Sequence, residues 1–447
     1  MEMRREYGAE QPFIPLGIFK LRLPFIHYRW EWPEALQALL MCATCLGAIP
    51  VLTEVLGVSF EIALTMVIIN GALYNLHVLL GDPVVPGWIT PAIPLTIAYL
   101  TQYPIGPERT QALIALQLLV GIFFVLMGIT GAAKKLINWV PDSIKAGILL
   151  GAGMAAVIGE VKPGGRFEQF PITILIGGLL ALFFLFSRRF KEWRRQSKAI
   201  DSIAKYGMLP ALAIALIIGP IVKELPIPQI EWEVFVPRFG ELFREVTPFG
   251  IGFPALRLFV AALPMLFAAY IIAFGDFVTS KALITEADEV RKDEKIDFNE
   301  NRSNLISGFR NIIQAFISPY TQLCGPLWAA VTAAVSERYK DGRDSMDSIF
   351  SGMGTFRIMT FVGVSLMPIV SLIRPVLPVA LSLTLLVQGF VCTRIAMDIV
   401  KTNEQKGVAG VMGAVLAIKG AAWGLAAGIL LYLLVESGKA EAKKVEA

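Results

Sequence analysis

Two short stretches rich in proline and glycine, each inside an apolar run, decide how this chain folds. The first is Pro86–Leu95, with the sequence PGWITPAIPL, and the second is Pro319–Leu327, with the sequence PYTQLCGPL. Proline lacks a backbone donor and disfavours a helical conformation in the residue before it, so neither stretch can form one continuous helix. Each stretch is predicted to run extended and then to begin a half-helix, near Thr90–Pro94 in the first and near Cys324–Pro326 in the second.

The composition around these stretches is that of a membrane protein. Of the 447 residues, 55% are hydrophobic and only 17% are charged. Apolar runs of about 20 residues alternate with short basic clusters, as membrane spans alternate with loops. The net charge of +4 is therefore assigned to loops that face an anionic bilayer, and nucleic acid is not expected as a partner. Two histidines and four cysteines within apolar segments predict neither a metal site nor a cofactor.

The apolar runs predict an all-α polytopic protein with thirteen or fourteen transmembrane helices. Fourteen spans satisfy the positive-inside rule best, because they place the basic cluster Arg188–Lys198 and the charged loop 286–302 on the same side as both termini. We therefore expect an integral protein of the plasma (inner) membrane with both termini in the cytoplasm. The two long apolar runs near the end of the chain are each long enough to contain a further break.

The chain repeats itself weakly, which predicts two halves of seven spans. Pro33 opens the first long span, and Pro254 opens another a little over 220 residues later. Because seven is an odd number, the second half must be inverted relative to the first, and paired broken helices in spans 3 and 10 mark the transport site in such proteins. The predicted boundaries are a cytoplasmic segment 1–32, a first repeat 33–222, an extracytoplasmic connector 223–252, a second repeat 253–436 and a cytoplasmic tail 437–447.

The two half-helix starts form the candidate substrate site. A helix start presents unpaired N–H groups and a positive dipole end, which suits an anion or the polar edge of a flat heterocycle. The amide of Gln322 can donate to an anion or pair with a nucleobase edge. The candidate substrate-binding residues are Thr90, Ile93, Thr321, Gln322, Leu323, Cys324 and Gly325; no catalytic residue is expected.

Asp276 is the candidate coupling residue. It is the one acidic residue between Phe253 and Thr285, and a carboxylate near a cavity within a membrane span is a functional hypothesis by default. Thr279 and Ser280 lie in its neighbourhood and could help to hold a coupling H⁺ or Na⁺. The alternative is that Asp276 meets cytoplasmic water beside Lys281. Arg257 and Arg310 also lie in apolar surroundings, where snorkelling or a packed ion pair is at least as plausible as substrate contact.

Together these features resemble the seven-plus-seven inverted-repeat transporters that include the uracil/xanthine (nucleobase–ascorbate) permeases and the sulfate permeases, of which the chain looks like a divergent member. The resemblance spans nearly the whole chain and is sharpest at Trp139–Gly153, at Gly275-Asp276, at Asn299–Asn311 and at the two broken stretches, which occupy the places of these families' short antiparallel strands in spans 3 and 10. It implies a core domain of spans 1–4 and 8–11, which holds the site. It also implies a gate domain of spans 5–7 and 12–14, which often forms homodimers, and alternating access between the two.

The resemblance leaves the substrate open. Nucleobase permeases usually carry a glutamate in span 8, where Ile272 aligns, and an acidic or amide residue in span 10, where Gln322 stands. Conversely, we expect no room after Gly438 for the cytoplasmic domain usual in sulfate permeases. The leading hypothesis is an H⁺- or Na⁺-coupled symporter of a uracil- or xanthine-like solute. The alternatives are a transporter of sulfate, bicarbonate or a small carboxylate, and an uncoupled channel; no constellation typical of an enzyme is present.

Overall fold

The computed structural model describes residues 5–197, 199, 200, 203, 206 and 208–436, without the side chain of residue 137. Residues 1–4, the last lysine of the predicted basic cluster at 198 and the predicted tail 437–447 lie outside the described residues. The described part is mostly helical. The first-half helices are α1 Trp32–Leu56, α2 Phe60–Leu79, α3 Thr90–Leu100, α4 Pro107–Thr130, α5 Ala133–Trp139, α6 Asp142–Val161, α7 Arg166–Gln169, α8 Pro171–Phe186, α9 Arg188–Gln196 and α10 Leu209–Ile221.

A connector with two short helices leads to the second half. The remaining helices are α11 Phe239–Glu245, α12 Pro248–Ile251, α13 Leu256–Val290, α14 Glu300–Ile317, α15 Ala329–Lys340, α16 Ile349–Ser365, α17 Met367–Ile399, α18 Asn403–Lys419 and α19 Ala421–Glu436. Two antiparallel two-stranded sheets accompany them. They pair β1 Ile14–Leu16 with β2 Phe19–Leu21, and β3 Gly87–Trp88 with β4 Cys324–Gly325.

Among the described residues, six helices are long and apolar enough to cross a membrane, namely α1, α2, α4, α6, α13 and α17. Helices α8 and α9 together make a seventh candidate, bent by 61° at the residue between them. Four shorter apolar helices, α3, α10, α16 and α19, lie among these spans. The predicted class, a helical polytopic membrane protein, is confirmed, whereas the count of fourteen spans stays a prediction.

The helices pack chiefly within two sets. In the first set, α4 packs against α13 and α14, and α16 packs against α1 and α2. In the second set, α6 packs against α17, α18 and α19, and α8 packs against α10 and α17. Helix α15, which follows β4, packs against α13 and α16 of the first set, whereas α3, which follows β3, contacts both α6 of the second set and α4 and α13 of the first. The paired strands therefore stand inside the first set at its boundary with the second.

Glycines permit the closest approach between helices of the first set. A Cβ built on Gly308 would lie 2.8 Å from the carbonyl oxygen of Gly121, and one built on Gly121 would lie 2.9 Å from that of Gly308. Real Cβ atoms do not come this near to backbone, so α4 and α14 touch backbone to backbone at this point. This contact holds α14, and with it the residues that support β4, at a fixed distance from α4.

The N-terminal segment packs onto the loop after α13. The Arg5 guanidinium is buried and lies 2.8 Å from a carboxylate oxygen of Asp293, and Lys20 Nζ lies 2.6 Å from one of Asp297. The backbone N–H of Gly8 also donates to the carbonyl of Asp293. The N-terminal segment and the charged loop 286–302 therefore lie at the same end of the helix bundle, called here the N-terminal end.

Candidate functional site

The centre of the candidate site is the antiparallel pair of β3 and β4, which joins the two halves of the chain. Gly87 pairs with Gly325 and Trp88 pairs with Cys324. A Cβ on Gly87 would lie 2.5 Å from the carbonyl oxygen of Leu327, so a side chain at this position would push the strands apart. The sequence pattern thus predicted both extended segments, the resemblance implied short antiparallel strands at them, and the structure adds the register of the pairing.

Each strand leads into a half-helix whose start has no side-chain cap. Helix α3 begins at Thr90 after the N-cap residue Ile89, and α15 begins at Ala329 after Trp328. The first N–H groups of α15 therefore remain available to a ligand, whereas at the start of α3 only the N–H of Thr90 does, because Pro91 has none and those of Ala92 and Ile93 donate to the carbonyls of Ile89 and Thr90. The surroundings are open at this point, because Ala329 is exposed and Thr90 is half-buried.

The second half-helix begins later than the sequence suggested. We expected a start near Cys324–Pro326, but Cys324 and Gly325 form strand β4, and helix geometry begins only at Ala329. The physical reason is that Pro326 holds Gly325 extended, which lets Gly325 pair with the first half of the chain. The backbone N–H of Trp328 then donates to the carbonyl of Val85 at 2.6 Å, which fixes the start of α15 beside β3.

The candidate substrate residues divide into buried and partly open ones. Thr90 is half-buried, and its hydroxyl donates to the carbonyl of Trp88 at 3.3 Å. The Thr321 hydroxyl donates to the side-chain oxygen of Gln322 at 2.8 Å. In the described part of the chain, Gln322 Nε2 donates to no protein acceptor, so its donor capacity is free. The remaining candidates are all buried: Ile93, Thr321, Gln322, Leu323, Cys324 and Gly325.

A network of buried amide side chains supports the second stretch, and the sequence reasoning did not assign its members a role. Gln314 on α14 donates to Asn70 on α2 at 2.9 Å and accepts a hydrogen bond from Gln117 on α4 at 3.3 Å. Gln117 in turn accepts the backbone N–H of Tyr320 at 3.0 Å. Asn311 exchanges two hydrogen bonds, both of 3.0 Å, with the backbone of Cys324. The spacing of Asn311 and Gln314 on one helical face was the signal that could have revealed this network.

Asp276 lies on an otherwise buried face of α13. Ile272 and Ser280, one turn away on either side, are buried, whereas Asp276 is only half-buried, which indicates an opening at this position. Its carboxylate has no ion pair or hydrogen bond among the described residues. Lys281, the alternative partner, pairs with Glu300 at 3.0 Å instead.

The two hydroxyl candidates near Asp276 differ. Thr279 is exposed, and its hydroxyl donates to the carbonyl of Gly275 at 2.9 Å within the helix. Ser280 is buried, and its hydroxyl has no hydrogen-bond partner. Of the two, Ser280 is the one with free hydrogen-bonding capacity.

The arginines in apolar segments differ in burial and in ion pairing. Arg257 is exposed and pairs with Glu108 at 2.8 Å. Arg310 is fully buried, so snorkelling is wrong for it, and among the described residues it has no carboxylate within ion-pair distance. Arg357 on α16 is also buried and was missed, although a charge within the apolar run Ile349–Ser365 is itself a signal of function.

An apolar groove elsewhere does not compete with this site. It has a volume of about 480 Å³ and lies among α6, α8 and α17, where Val157, Leu175, Leu179 and Phe390 are among its lining residues. Its lining is almost wholly hydrocarbon, which offers no donors for an anion or a heterocycle.

Comparison with known proteins finds similarity in structure rather than in sequence. No protein-family model matches the sequence, and no curated protein matches it. The murine Solute Carrier 26 family member A9 anion transporter, solved in the inward-facing state, is 12% identical over 91% of this chain and 68% of its own, with a TM-score of 0.52. A second structure of SLC26A9 is 13% identical over 90% of this chain and 65% of its own, with a TM-score of 0.53.

The transmembrane domain of a cyanobacterium bicarbonate transporter, BicA, is 13% identical over 90% of this chain and 99% of its own, with a TM-score of 0.48. The similarity to SLC26A9 concerns the fold. The chain has the fold of a polytopic inverted-repeat membrane transporter, which confirms the predicted fold class, and these structural neighbours are transporters rather than enzymes.

Proposed function

We propose that this chain is a secondary active transporter of a small anion, such as sulfate, bicarbonate or a small carboxylate, that binds between the starts of α3 and α15. The observation that carries the proposal is the pairing of Gly87 with Gly325, which brings two uncapped helix starts from opposite halves of the chain together. Two positive dipole ends, with free N–H groups chiefly at the start of α15, stabilise an anion without any full cationic charge in contact with it.

The site suits an anion better than the nucleobase that led the sequence hypotheses. Ile272 is buried and apolar where nucleobase permeases usually carry a glutamate, and the amide of Gln322 can donate to an anion. Arg310 and Arg357, buried in the same helix set, add positive potential that favours a negative solute. The solved anion transporter with the same fold supports the same choice.

Coupling to H⁺ or Na⁺ is proposed to run through Asp276, with Ser280 as a further oxygen ligand. The carboxylate stands unpaired at an opening of a buried helix face, where it can accept a proton or hold a cation without breaking an existing ion pair. Thr279, whose hydroxyl is engaged within its own helix, is the weaker candidate.

Transport is proposed to occur by movement of the first helix set, α1–α4 with α13–α16, against the second, α6, α8, α10 and α17–α19. These sets correspond to the core and gate domains of the sequence prediction. The packing within each set supports this division, and the location of β3 and β4 at the boundary places the site where such a movement alternates its exposure. Localisation in the plasma (inner) membrane with cytoplasmic termini, and a homodimer through the second set, belong to the same proposal.

The test is uptake into proteoliposomes of labelled bicarbonate, sulfate, chloride, uracil and xanthine, each with and without an imposed H⁺ or Na⁺ gradient. We expect gradient-driven uptake of an anion that the other anions inhibit. Gly325→Ala should abolish this uptake, because the new Cβ would lie 2.9 Å from the backbone of β3 and separate the strands. Gly159→Ala is the matched control, since a Cβ on Gly159 meets no atom within 4 Å. Uptake of a nucleobase without uptake of any anion would overturn the proposal.

A further inference from the structure

Two buried guanidinium groups contact the same aromatic ring inside the first helix set. The guanidinium carbons of Arg310 on α14 and Arg357 on α16 lie 4.4 and 4.1 Å from the ring centroid of Tyr74 on α2. The two arginine residues are 0% and 1% exposed. Three helices thus converge on one point that carries two positive charges.

Most of the guanidinium nitrogens have no hydrogen-bond partner. Nε and Nη2 of Arg310 and all three nitrogens of Arg357 are buried and unpaired. Nη1 of Arg310 donates to the carbonyl of Gly325 at 3.3 Å, and the Cys45 thiol, a weak partner, lies beside Arg357. Within the described residues, neither arginine lies within 4.0 Å of a carboxylate oxygen, unlike most buried arginines of proteins.

The carboxylate of Asp82, just after the end of α2, is engaged with other groups. Asp82 Oδ2 accepts the Ser303 hydroxyl at 2.6 Å and lies 2.8 Å from Nδ1 of His77, which follows Tyr74 by one helical turn. Because no carboxylate of the described residues pairs with either guanidinium, the two arginines place uncompensated positive charge in the interior of the first helix set. A bound anion supplies the missing negative charge.

We propose that Arg310 and Arg357 form a second anion site, distinct from the half-helix site, which holds a halide or a small monovalent oxyanion within the first helix set. The free N–H groups of the two guanidinium groups supply the donors that such an anion requires. Tyr74 contacts only the flat faces of the two groups, so their N–H edges remain without a partner. The second anion site contacts the half-helix site at two points. Arg310 donates to the carbonyl of Gly325, and the ring centroid of Trp328 lies 5.1 Å from the Arg357 guanidinium. An anion bound to the two arginines therefore stabilises the pair of β3 and β4 through these contacts.

The test is anomalous diffraction from crystals grown in bromide, together with thermal unfolding of the purified protein in bromide, chloride and gluconate at equal ionic strength. We expect a bromide peak in contact with both guanidinium groups. The unfolding midpoint should rise with bromide concentration, as it does for a ligand that binds only the folded state. A map with no peak at the arginine pair overturns the proposal, whatever the unfolding data show.

Variants separate this site from the transport site. Arg357→Gln and Arg310→Gln should abolish the bromide peak and at least halve the bromide-dependent rise, and Arg357→Lys should restore part of the rise. Gln322→Leu should impair transport but retain the peak. If Arg357→Gln does not fold, the bromide map of the unaltered protein still shows whether an anion binds at the arginine pair.

The matched control is Arg22→Gln. Arg22 is another fully buried arginine, it stacks on Phe350 at 3.9 Å, and it donates to the carbonyl of Gln11 at 3.0 Å. Its loss should lower the unfolding midpoint while the bromide-dependent rise remains. An unchanged rise in a folded Arg357→Gln protein would contradict the proposal. A bromide peak in a protein that transports no anion would leave this site standing and remove the proposed function.

Discussion

At the scale of single residues, Arg310 and Arg357 are the strongest departures from what burial alone allows. The effective penalty for burying an ion in a protein is several kcal/mol, whereas a cation–π contact contributes about 2 kcal/mol when desolvated. Two contacts with Tyr74 and one hydrogen bond of 3.3 Å therefore do not offset the burial of two guanidinium groups. This imbalance is why the pair indicates a bound counter-ion rather than packing alone.

Asp293 shows how a charge outside the membrane spans fastens the N-terminal segment. Its carboxylate accepts hydrogen bonds from Arg291 at 2.6 and 2.8 Å and from Arg5 at 2.8 Å. These bonds from Arg291, helped by the charges of both arginines, hold the pKa of Asp293 at about 2, below its ordinary value of 3.8. A lowered pKa in the folded state means that the stabilisation is complete above about pH 4 and is lost as the pH falls toward 2.

Asp293→Asn should therefore lower the unfolding midpoint at pH 7 and make the protein less sensitive to acid. The expected loss is about 1 kcal/mol, since the carboxylate is partly exposed and screened by solvent. Thermal unfolding followed by tryptophan fluorescence between pH 7 and pH 3 measures both effects. Glu289→Gln, at an exposed position on the same side, is the control and should change neither. Equal acid sensitivity in the Asp293→Asn and unaltered proteins would contradict the assignment.

Asp276→Asn tests the coupling proposal. Asparagine keeps the size and hydrogen-bonding capacity of a protonated aspartate while it removes the charge. We expect exchange of substrate across proteoliposome membranes to survive, and accumulation driven by an H⁺ or Na⁺ gradient to fall at least tenfold. Unchanged accumulation by a well-expressed variant would remove Asp276 from the mechanism. Thr279→Val, at an exposed neighbouring position, should retain coupling.

At the scale of elements, the contact of α4 with α14 should be the most sensitive helix interface. Gly308→Ala introduces a Cβ 2.8 Å from the carbonyl oxygen of Gly121, and such overpacking typically costs about 1–3 kcal/mol. A lower unfolding midpoint is therefore expected. Gly159→Ala, which meets open space in α6, should be neutral or slightly stabilising because alanine favours helix. Equal midpoints for the two variants would contradict the close contact.

The sequence predicted the elements well where local chemistry determines them. Proline chemistry alone indicated both broken stretches, and a helix start at Thr90 follows from it. The start of α15 was placed too early because the strand at Cys324-Gly325 exists only through its pairing with Gly87-Trp88, more than two hundred residues away in the chain. Pairing at that distance leaves no trace in a local pattern, and only the resemblance to the inverted-repeat transporters implied it. Similarly, Asn70, Gln117 and Gln314 lie on three different helices, and only the folded structure brings them together.

At the scale of the whole molecule, two side-chain contacts join the helix sets at the end opposite to the N-terminal end. Arg166 after α6 pairs with Glu54 at the end of α1 at 3.1 Å, and Arg374 of α17 stacks on Phe60 at the start of α2 at 3.8 Å. An exposed ion pair contributes about 0.2–1 kcal/mol. Contacts this weak stabilise one arrangement of the two helix sets and can still break when the sets move. This end of the molecule is therefore closed between the sets.

If transport requires the first set to move against the second, a covalent link across this closed end should stop it. Glu54→Cys combined with Arg166→Cys, treated with a short bifunctional thiol reagent, should trap the closed end and reduce uptake at least tenfold, with recovery after the link is cleaved. The native thiols Cys42, Cys45, Cys324 and Cys392 are all buried and should react little.

The matched control is Glu108→Cys with Arg257→Cys, because that pair of charges, 2.8 Å apart at the same end, joins α4 to α13 within the first set. The control should cross-link without loss of uptake, since its two helices move together. Equal inhibition in both cross-linked proteins would mean that the sets do not move as proposed, and full activity in the cross-linked Glu54–Arg166 variant would show that the closed end need not open.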